Sequence, residues 1–382
     1  MIDQVVDKKR CFGCFACYNI CPVDAIEMKI SDEGFYIPSV KDNCIECMLC
    51  TKVCPAINSP KRKNPLLKVF AAWSLNENTR LQSSSGGAFQ EIARAVLEDD
   101  GIVYGVAWGK NLNPEHVRIV SVKDLPKTAG SKYVPSYVGF SYRKLLDDIL
   151  EGKTVLFSGL PCQIAGCMNF LHLKKVNLSH VYFVDLICYG VPSLRFYNLW
   201  LSHIVKDGIV TNINFRDKSQ GWSKPILKVE FLRDGNIKQY KRRSGMDFFI
   251  QGFNLNYFLN NSCYECPFAG LPRLGDLTIG DFWGLPDDLK DEKGISVLLV
   301  NSTKGERLLK LAKNKLGLKE VNTQMAIKGN LRLRVSHLEK PKHRDKMLNY
   351  VLENRYNIIK TILLLRTFVK KVREFTFKCI KI

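Results

Sequence analysis

Two runs of four cysteines constrain this chain more than anything else in it. Cys11, Cys14, Cys17 and Cys21 are followed by Pro22, and Cys44, Cys47, Cys50 and Cys54 by Pro55, so both runs read C-x2-C-x2-C-x3-C-P. Every cysteine of the second run lies 33 residues after its counterpart, which makes the first 58 residues an internal repeat. The spacing is that of a bacterial two-cluster ferredoxin, in which three thiolates of a run wrap one corner of a cubane and the fourth crosses to the other cluster. The expected [4Fe–4S] ligand sets are therefore Cys11, Cys14, Cys17 and Cys54, and Cys44, Cys47, Cys50 and Cys21. Structural zinc, the other reading of paired CxxC motifs, would leave thiols over from runs of four. Each proline ends a short helical turn without needing an amide donor. Between the runs, Ala25–Ile30 and Gly34–Val40 can pair as a small hairpin over the clusters.

At 382 residues, with 46% hydrophobic and 25% charged, the chain has material for two or three globular domains. No apolar run reaches 18 residues, which argues against a transmembrane helix. The start, Met-Ile-Asp-Gln, has no apolar leader, so a cytoplasmic location is expected, where clustered cysteines bind metal and do not form disulfides.

After Ile57 the composition shifts, and residues 59–67 read as a basic, proline-bearing linker. From there short β-branched or aromatic runs (Val69–Ser74, Ile102–Trp108, Val117–Val122, Thr154–Ser158, Val181–Ile187, Leu227–Leu232, Asp276–Ile279, Ser296–Asn301) alternate with segments of helical spacing. Those are Ala88–Glu98, Tyr142–Glu151, Ile164–Leu171, Leu194–Val205 and Glu306–Lys315. The alternation predicts an α/β body around a mixed sheet, preceded by a small α+β ferredoxin domain of the bacterial two-cluster type.

Four cysteines of the body have telling neighbours. Cys162 and Cys188 each follow an apolar strand-like run, and Cys263 and Cys266 form a CxxC before Pro267. Two cysteines at strand ends and a CxxC loop can make a third four-thiolate site, since ligands collect at strand ends of α/β sheets. The competing reading is four small core hydrophobes, which is also the assignment for Cys167 and Cys379. Glycine-rich segments add a second hint. Ser84, Ser85, Gly86 and Gly87 precede a helix whose N-terminus can hold a phosphate, and Gly130, Ser131 and Lys132 put a cation beside a flexible turn. Gly275–Gly284 begins as a strand and ends in an aromatic turn. None of these matches a nucleotide-binding signature. The six histidines show no metal spacing.

Taken in order, Ser84–Gly87, Gly130–Tyr133, Gly159–Gln163, Ile187–Cys188, Cys263–Cys266 and Gly275–Gly284 resemble the family of coenzyme F-420 hydrogenase/dehydrogenase beta subunits over residues 68–330, with a ferredoxin domain fused in front. The resemblance implies FAD and a [4Fe–4S] cluster in the body, with Cys162, Cys188, Cys263 and Cys266 as the ligands of a third cluster. It also implies flavin contacts at Ser84, Ser85, Gly86, Gly87, Gly130, Ser131 and Lys132. The implied activity is oxidoreduction between iron–sulfur clusters and a two-electron carrier, a deazaflavin or NAD(P)H. The alternative is an electron-transfer subunit without substrate chemistry, serving a partner enzyme in polysaccharide synthesis, beside whose genes fused relatives occur. Many of those relatives carry His where this chain has Tyr189, which leaves a proton-handling role there unassigned.

The formal charge is +20, with 57 Lys and Arg against 37 Asp and Glu. Each cluster with four thiolates carries about −2, so three clusters would remove roughly six units. The remainder suits an acidic redox partner, a ferredoxin for instance, or an anionic surface. No helix-turn-helix, zinc-finger or RNA-binding motif supports a nucleic-acid partner. From residue 331 to 382 a basic helical extension is expected. Within it Ile358, Ile362, Leu365, Val369 and Val372 fall on one stripe with most cations opposite, a pattern that can lie peripherally on the inner membrane face. The competing reading is a terminal helix docked on its own body.

Overall fold

The computed structural model describes residues 1–61 and 65–379, apart from the side chains at positions 5, 8, 111 and 370–379. Residues 62–64 of the expected linker lie outside the described residues, as does the side chain of Cys379.

The sequence repeat is a backbone repeat. Short helices Ala16–Ile20 and Leu49–Val53 sit 33 residues apart, each entered through a left-handed residue, Phe15 at φ 65° and Met48 at φ 59°. Gly13 and its counterpart Glu46 are left-handed as well, at φ 63° and 52°. Between the helices, β1 (Ile26–Ile30) and β2 (Tyr36–Val40) form the expected antiparallel hairpin.

The body is an α/β unit around one mixed sheet. Its strands are β3 (Lys68–Ser74), β4 (Ile102–Trp108), β5 (Pro114–Ile119), β6 (Val155–Gly159) and β7 (Val181–Leu186). After a smaller antiparallel sheet of β8 (Ile209–Asp217), β9 (Ile226–Arg233) and β10 (Asn236–Arg243), the main sheet continues with β11 (Leu277–Asp281), β12 (Ser296–Val300) and β13 (Leu316–Glu320). Its order is β13-β3-β12-β11-β7-β6-β4-β5, with β11, β7, β6 and β4 parallel and the flanking pairs antiparallel. Strands β6 and β12 are buried along their whole length, which is why they read as unbroken apolar runs and not as alternation.

The expected helices at Ala88–Glu98 and Leu194–Val205 form with those bounds. Three expectations need correction. The strand placed at Val117–Val122 forms at Pro114–Ile119, where its register against β4 buries Pro114, His116 and Ile119. The helix expected from Ile164 begins at Pro161, because proline is suited to a first helical position. The helix placed at Glu306–Lys315 runs from Thr303 to Ala312, capped by the Ser302 hydroxyl on the Gly305 amide.

The ferredoxin-like unit is not a bead on a string. Ile2, Phe15, Ala16, Ile20 and Val53 share one buried cluster with Tyr142, Leu145, Phe157, Ile164 and Phe170 of the body. Polar contacts reinforce this seam. The Arg143 side chain donates to the carbonyls of Asn19 and Cys21, and Asn169 to those of Val53 and Asn58. The chain after residue 330 packs back too: Arg344, 1% exposed, bonds Glu33 at 2.7 Å.

Candidate functional site

The structure brings the twelve cysteines into three groups. Cys54 stands close enough to Cys11, Cys14 and Cys17 to act on each thiol electrostatically, so the fourth cysteine of the second run joins the first three of the first. Reciprocally, Cys21 lines one small cavity with Cys44, Cys47 and Cys50. This grouping crosses the two runs. Cys162, Cys188, Cys263 and Cys266 form the third group, linked by the same mutual action. All twelve are free thiols.

The surroundings fit thiolate ligands. Backbone amides point at sulfur from Gly13 to Cys11, Ala25 to Cys21, Glu46 to Cys44 and Val191 to Cys263, at 3.2–3.4 Å. Such bonds stabilise anionic sulfur and tune a cluster's potential. Burial, and then repulsion from neighbouring sulfurs, pushes the Cys11 thiol up to about 11 and Cys188 to about 12, and raises Cys14, Cys17, Cys162 and Cys263 further. Thiols so placed ionise when a cation enters among them, with proton release. Among the described residues no three such side chains converge on a point as the ligands of one metal ion would.

Cys162 is the second residue of helix Pro161–Leu173, not the end of a strand, and Cys188 lies in the loop two residues past β7. The sequence placed both at strand ends because the apolar runs stop there. The helix start carries Cys162 toward the ferredoxin-like unit: a Cβ on Gly166, one turn on, would come within 3.0 Å of the Cys14 sulfur. Cys167, on the same helix, is fully buried core. Arg332 donates to the carbonyls of Cys188 and Cys263, at 3.4 and 3.3 Å, and so braces two loops of the third set. Nothing in the sequence around Arg332 signals this.

Beside the third set the strand ends open into a cavity of about 780 Å³, a volume suited to a cofactor. Its floor is the carboxyl ends of β6, β7 and β11, including Ser158, Leu186, Cys188 and Asp281. Ser84, Ser85, Gly87, Gly130, Ser131 and Lys132 line one wall, beside the first turn of helix Ala88–Glu98. The Ser131 amide donates to the Ser84 hydroxyl at 2.6 Å, so two segments 47 residues apart form one polar corner. Gly86 is not in the lining. Its Cα faces β3 and β12, where a Cβ would sit 2.4 Å from the Ala72 carbonyl, so this glycine serves close packing. Burial lowers the Lys132 ammonium to about 8, and its Nζ donates to the carbonyls of Ala129 and Gly130. Tyr189 lines the cavity and donates to Asn256 at 2.8 Å.

The small sheet roofs this cavity with Phe215, Arg216 and Arg243. The sequence pattern places only β9 there. The missed signal is Asp234-Gly235, at φ 53° and 70°, a two-residue hairpin turn joining β9 to β10. The polar β10 has no apolar pattern to reveal it.

The last helix, Tyr356–Cys379, docks through Ile359 and Leu363, both fully buried. Three members of the expected stripe, Ile358, Leu365 and Val369, face outward with Phe368. The side chains of Val372 and the cations beyond it lie outside the described residues. Among the described residues no helix is long and apolar enough to cross a membrane.

Comparison with known proteins matches three family models. The N-terminal and C-terminal models of the coenzyme F420 hydrogenase/dehydrogenase beta subunit match residues 69–139 and 152–324, and a 4Fe-4S dicluster domain matches residues 4–59. One component of the F(420)H(2) dehydrogenase of Methanosarcina mazei is 23% identical over 84% of this chain and 87% of its own. A coenzyme F420-dependent sulfite reductase of Methanocaldococcus jannaschii is 24% identical over 84% of this chain and 48% of its own. Among solved structures, the F420-reducing [NiFe] hydrogenase complex of Methanosarcina barkeri contains a chain 17% identical, at TM-score 0.47, over 81% of this chain and 95% of that one.

Proposed function

Since the chain belongs to the family of coenzyme F420 hydrogenase/dehydrogenase beta subunits, with a 4Fe-4S dicluster domain in front, we propose that it is a flavin- and iron–sulfur-dependent oxidoreductase. In this reading it exchanges electrons between a two-electron carrier, a deazaflavin or NAD(P)H, and a line of three [4Fe–4S] clusters. The observation that carries the reading is Cys188: it belongs to the third thiol set and lines the large cavity. A group held in that cavity therefore shares a wall with the third set, which adjoins the first through Cys162 and Cys14. The first set adjoins the second through Cys17 and Cys50.

Cys162, Cys188, Cys263 and Cys266 would hold the third cluster. Ser84, Ser85, Ser131, Lys132 and the amides of the helix start at Ala88 would hold the diphosphate of FAD, as helix N-termini and cations do. A bound flavin supplies the exchange of two-electron for one-electron chemistry. The residues of this chain order the cofactors, donate amide hydrogen bonds to sulfur, and exclude water with the aromatic roof of Phe215 and Phe253.

The second reading, an electron-transfer subunit serving a partner enzyme in polysaccharide synthesis, is favoured by one observation. Around the second set Ile45, Glu46, Cys47 and Met48 are exposed, an exit face for a partner to cover. The first 58 residues carry eight acidic and six basic side chains, so the excess positive charge lies on the body, and an acidic partner such as a ferredoxin would be drawn there. The outward stripe of Leu365, Phe368 and Val369 would rest on an anionic membrane surface.

Replacing Cys188 by Ser in the anaerobically purified protein tests the reading. The expected result is loss of about four iron atoms of about twelve, retained flavin, and slowed electron transfer to the first two clusters. Full iron content with unchanged transfer would overturn it.

A further inference from the structure

Arg332 stands behind the third thiol set with only 3% of its surface exposed. Each nitrogen of its guanidinium donates to a main-chain carbonyl: Nε to Cys188 at 3.4 Å, Nη2 to Cys263 at 3.3 Å and Nη1 to Ser336 at 3.0 Å. The Ser336 carbonyl also accepts the Cys266 amide, at 3.2 Å. One side chain thus grips the backbone at two of the four cysteines and, through a shared acceptor, at a third.

Its hydrogen bonds are provided for, and its charge is not. Among the described residues the other buried arginines, Arg80, Arg216, Arg273 and Arg344, each have a carboxylate at 2.7–3.2 Å. Arg332 has none: every acceptor it reaches is an uncharged carbonyl. A charge taken out of water without an opposite charge beside it is strongly destabilising. The negative charge at hand is the third thiol set. Burial and the neighbouring sulfurs raise the Cys188 and Cys263 thiols, and the charge of Arg332 opposes that rise at both. A [4Fe–4S] cluster on four thiolates carries about −2, and about −3 once it has taken up one electron, with no bond made or broken. A fixed cation beside it favours the reduced state.

We propose that Arg332 is the counter-charge of the third set: its guanidinium offsets the thiolate-bound cluster and raises the potential at which that cluster takes its electron. The assignment rests on the reading of Cys162, Cys188, Cys263 and Cys266 as cluster ligands, and adds the residue that sets the poise of that cluster. Arg332 acts through the cluster's surroundings and is a positioning residue.

Anaerobic redox titration of the full-length protein, followed by electron paramagnetic resonance, tests this. The third cluster's signal is the one missing from Cys188→Ser. Arg332→Met and Arg332→Gln remove the charge, whereas Arg332→Lys keeps the charge and loses the three-way grip. In the neutral variants the reduced-to-oxidised ratio of the third cluster at a fixed potential should fall about tenfold, a downward shift of about 59 mV. The other two clusters should keep their potentials, and Arg332→Lys should keep the parent's value at all three. If the neutral variants do not hold the third cluster, Arg332→Lys decides. About twelve iron atoms at the parent's potential would support the counter-charge, and loss of about four would overturn it in favour of a purely structural brace. A neutral variant with all three clusters at the parent's potentials would overturn it too, as would a shift in Arg332→Lys as large as in the neutral variants. A parent protein with only about eight iron atoms would overturn the reading of the third set as a cluster site, and the counter-charge with it. About twelve atoms with an unmoved potential would overturn the counter-charge alone.

Discussion

The Tyr142 hydroxyl lies 2.7 Å from the carbonyl oxygen of Cys14, and 2.9 Å from that of Gln163. One fully buried side chain of the body thus holds the loop of the first thiol set against the helix that bears Cys162. The shared core alone would resist separation, but it would not fix the two sets in register.

Replacing Tyr142 by Phe removes this contact and takes its donor from the buried Cys14 carbonyl, while the Gln163 carbonyl keeps its place in the helix. A stability loss of about 1–3 kcal/mol is expected, read by denaturant unfolding of the anaerobic protein, with iron content retained. Electron transfer from the third cluster to the first should slow as well. A variant as stable as the parent would show that the apolar seam carries the junction unaided.

The crossed ligand sets can be separated by one substitution. In Cys21→Ser the cluster built on Cys44, Cys47 and Cys50 should be lost or converted, because Cys21 shares their cavity. Iron should fall by about four atoms. The spectroscopic signature that survives should be the one abolished by Cys54→Ser. If both substitutions removed the same cluster, the crossing would be wrong.

Lys132 gives the diphosphate corner a pH dependence. Its ammonium titrates near pH 8, below the ordinary value of 10.5, because it is buried. Affinity for FAD should therefore be level below pH 7 and fall as pH rises through about 8, measured as flavin released on ultrafiltration. Stability without ligand should move the other way. Between about 8 and 10.5 the unfolded chain binds the proton that the folded chain has lost, so unfolding free energy rises with pH. Lys132→Met should bind flavin more weakly, with a flat profile.

The outward face of the last helix can be tested without disturbing its docked face. Leu365→Glu with Phe368→Glu changes two exposed positions and should alter stability by no more than about 0.5 kcal/mol each. Cosedimentation with vesicles containing anionic lipid should fall sharply while iron and flavin stay in place. Unchanged cosedimentation would assign that face to a protein partner.

What the sequence determined by itself was everything written at short range. The 33-residue repeat fixed the two cysteine runs, and the same left-handed residues recur inside each, because equal spacing repeats one backbone path. Apolar runs gave β6, β7 and β12, since strands covered on both faces must be continuously hydrophobic, and Asp234-Gly235 encoded the hairpin turn locally. The tertiary structure decided what depends on partners far along the chain. It placed Cys162 on a helix facing Cys14, set Arg332 on the carbonyls of Cys188 and Cys263, and assigned Gly86 to close packing where a ligand contact was expected. It also chose which stripe of the last helix is buried, and brought Arg216 from β8 onto Asp281 of β11. No local pattern encodes these contacts: a lone arginine or tyrosine carries no periodicity, and its role is set by the surface that folding brings against it.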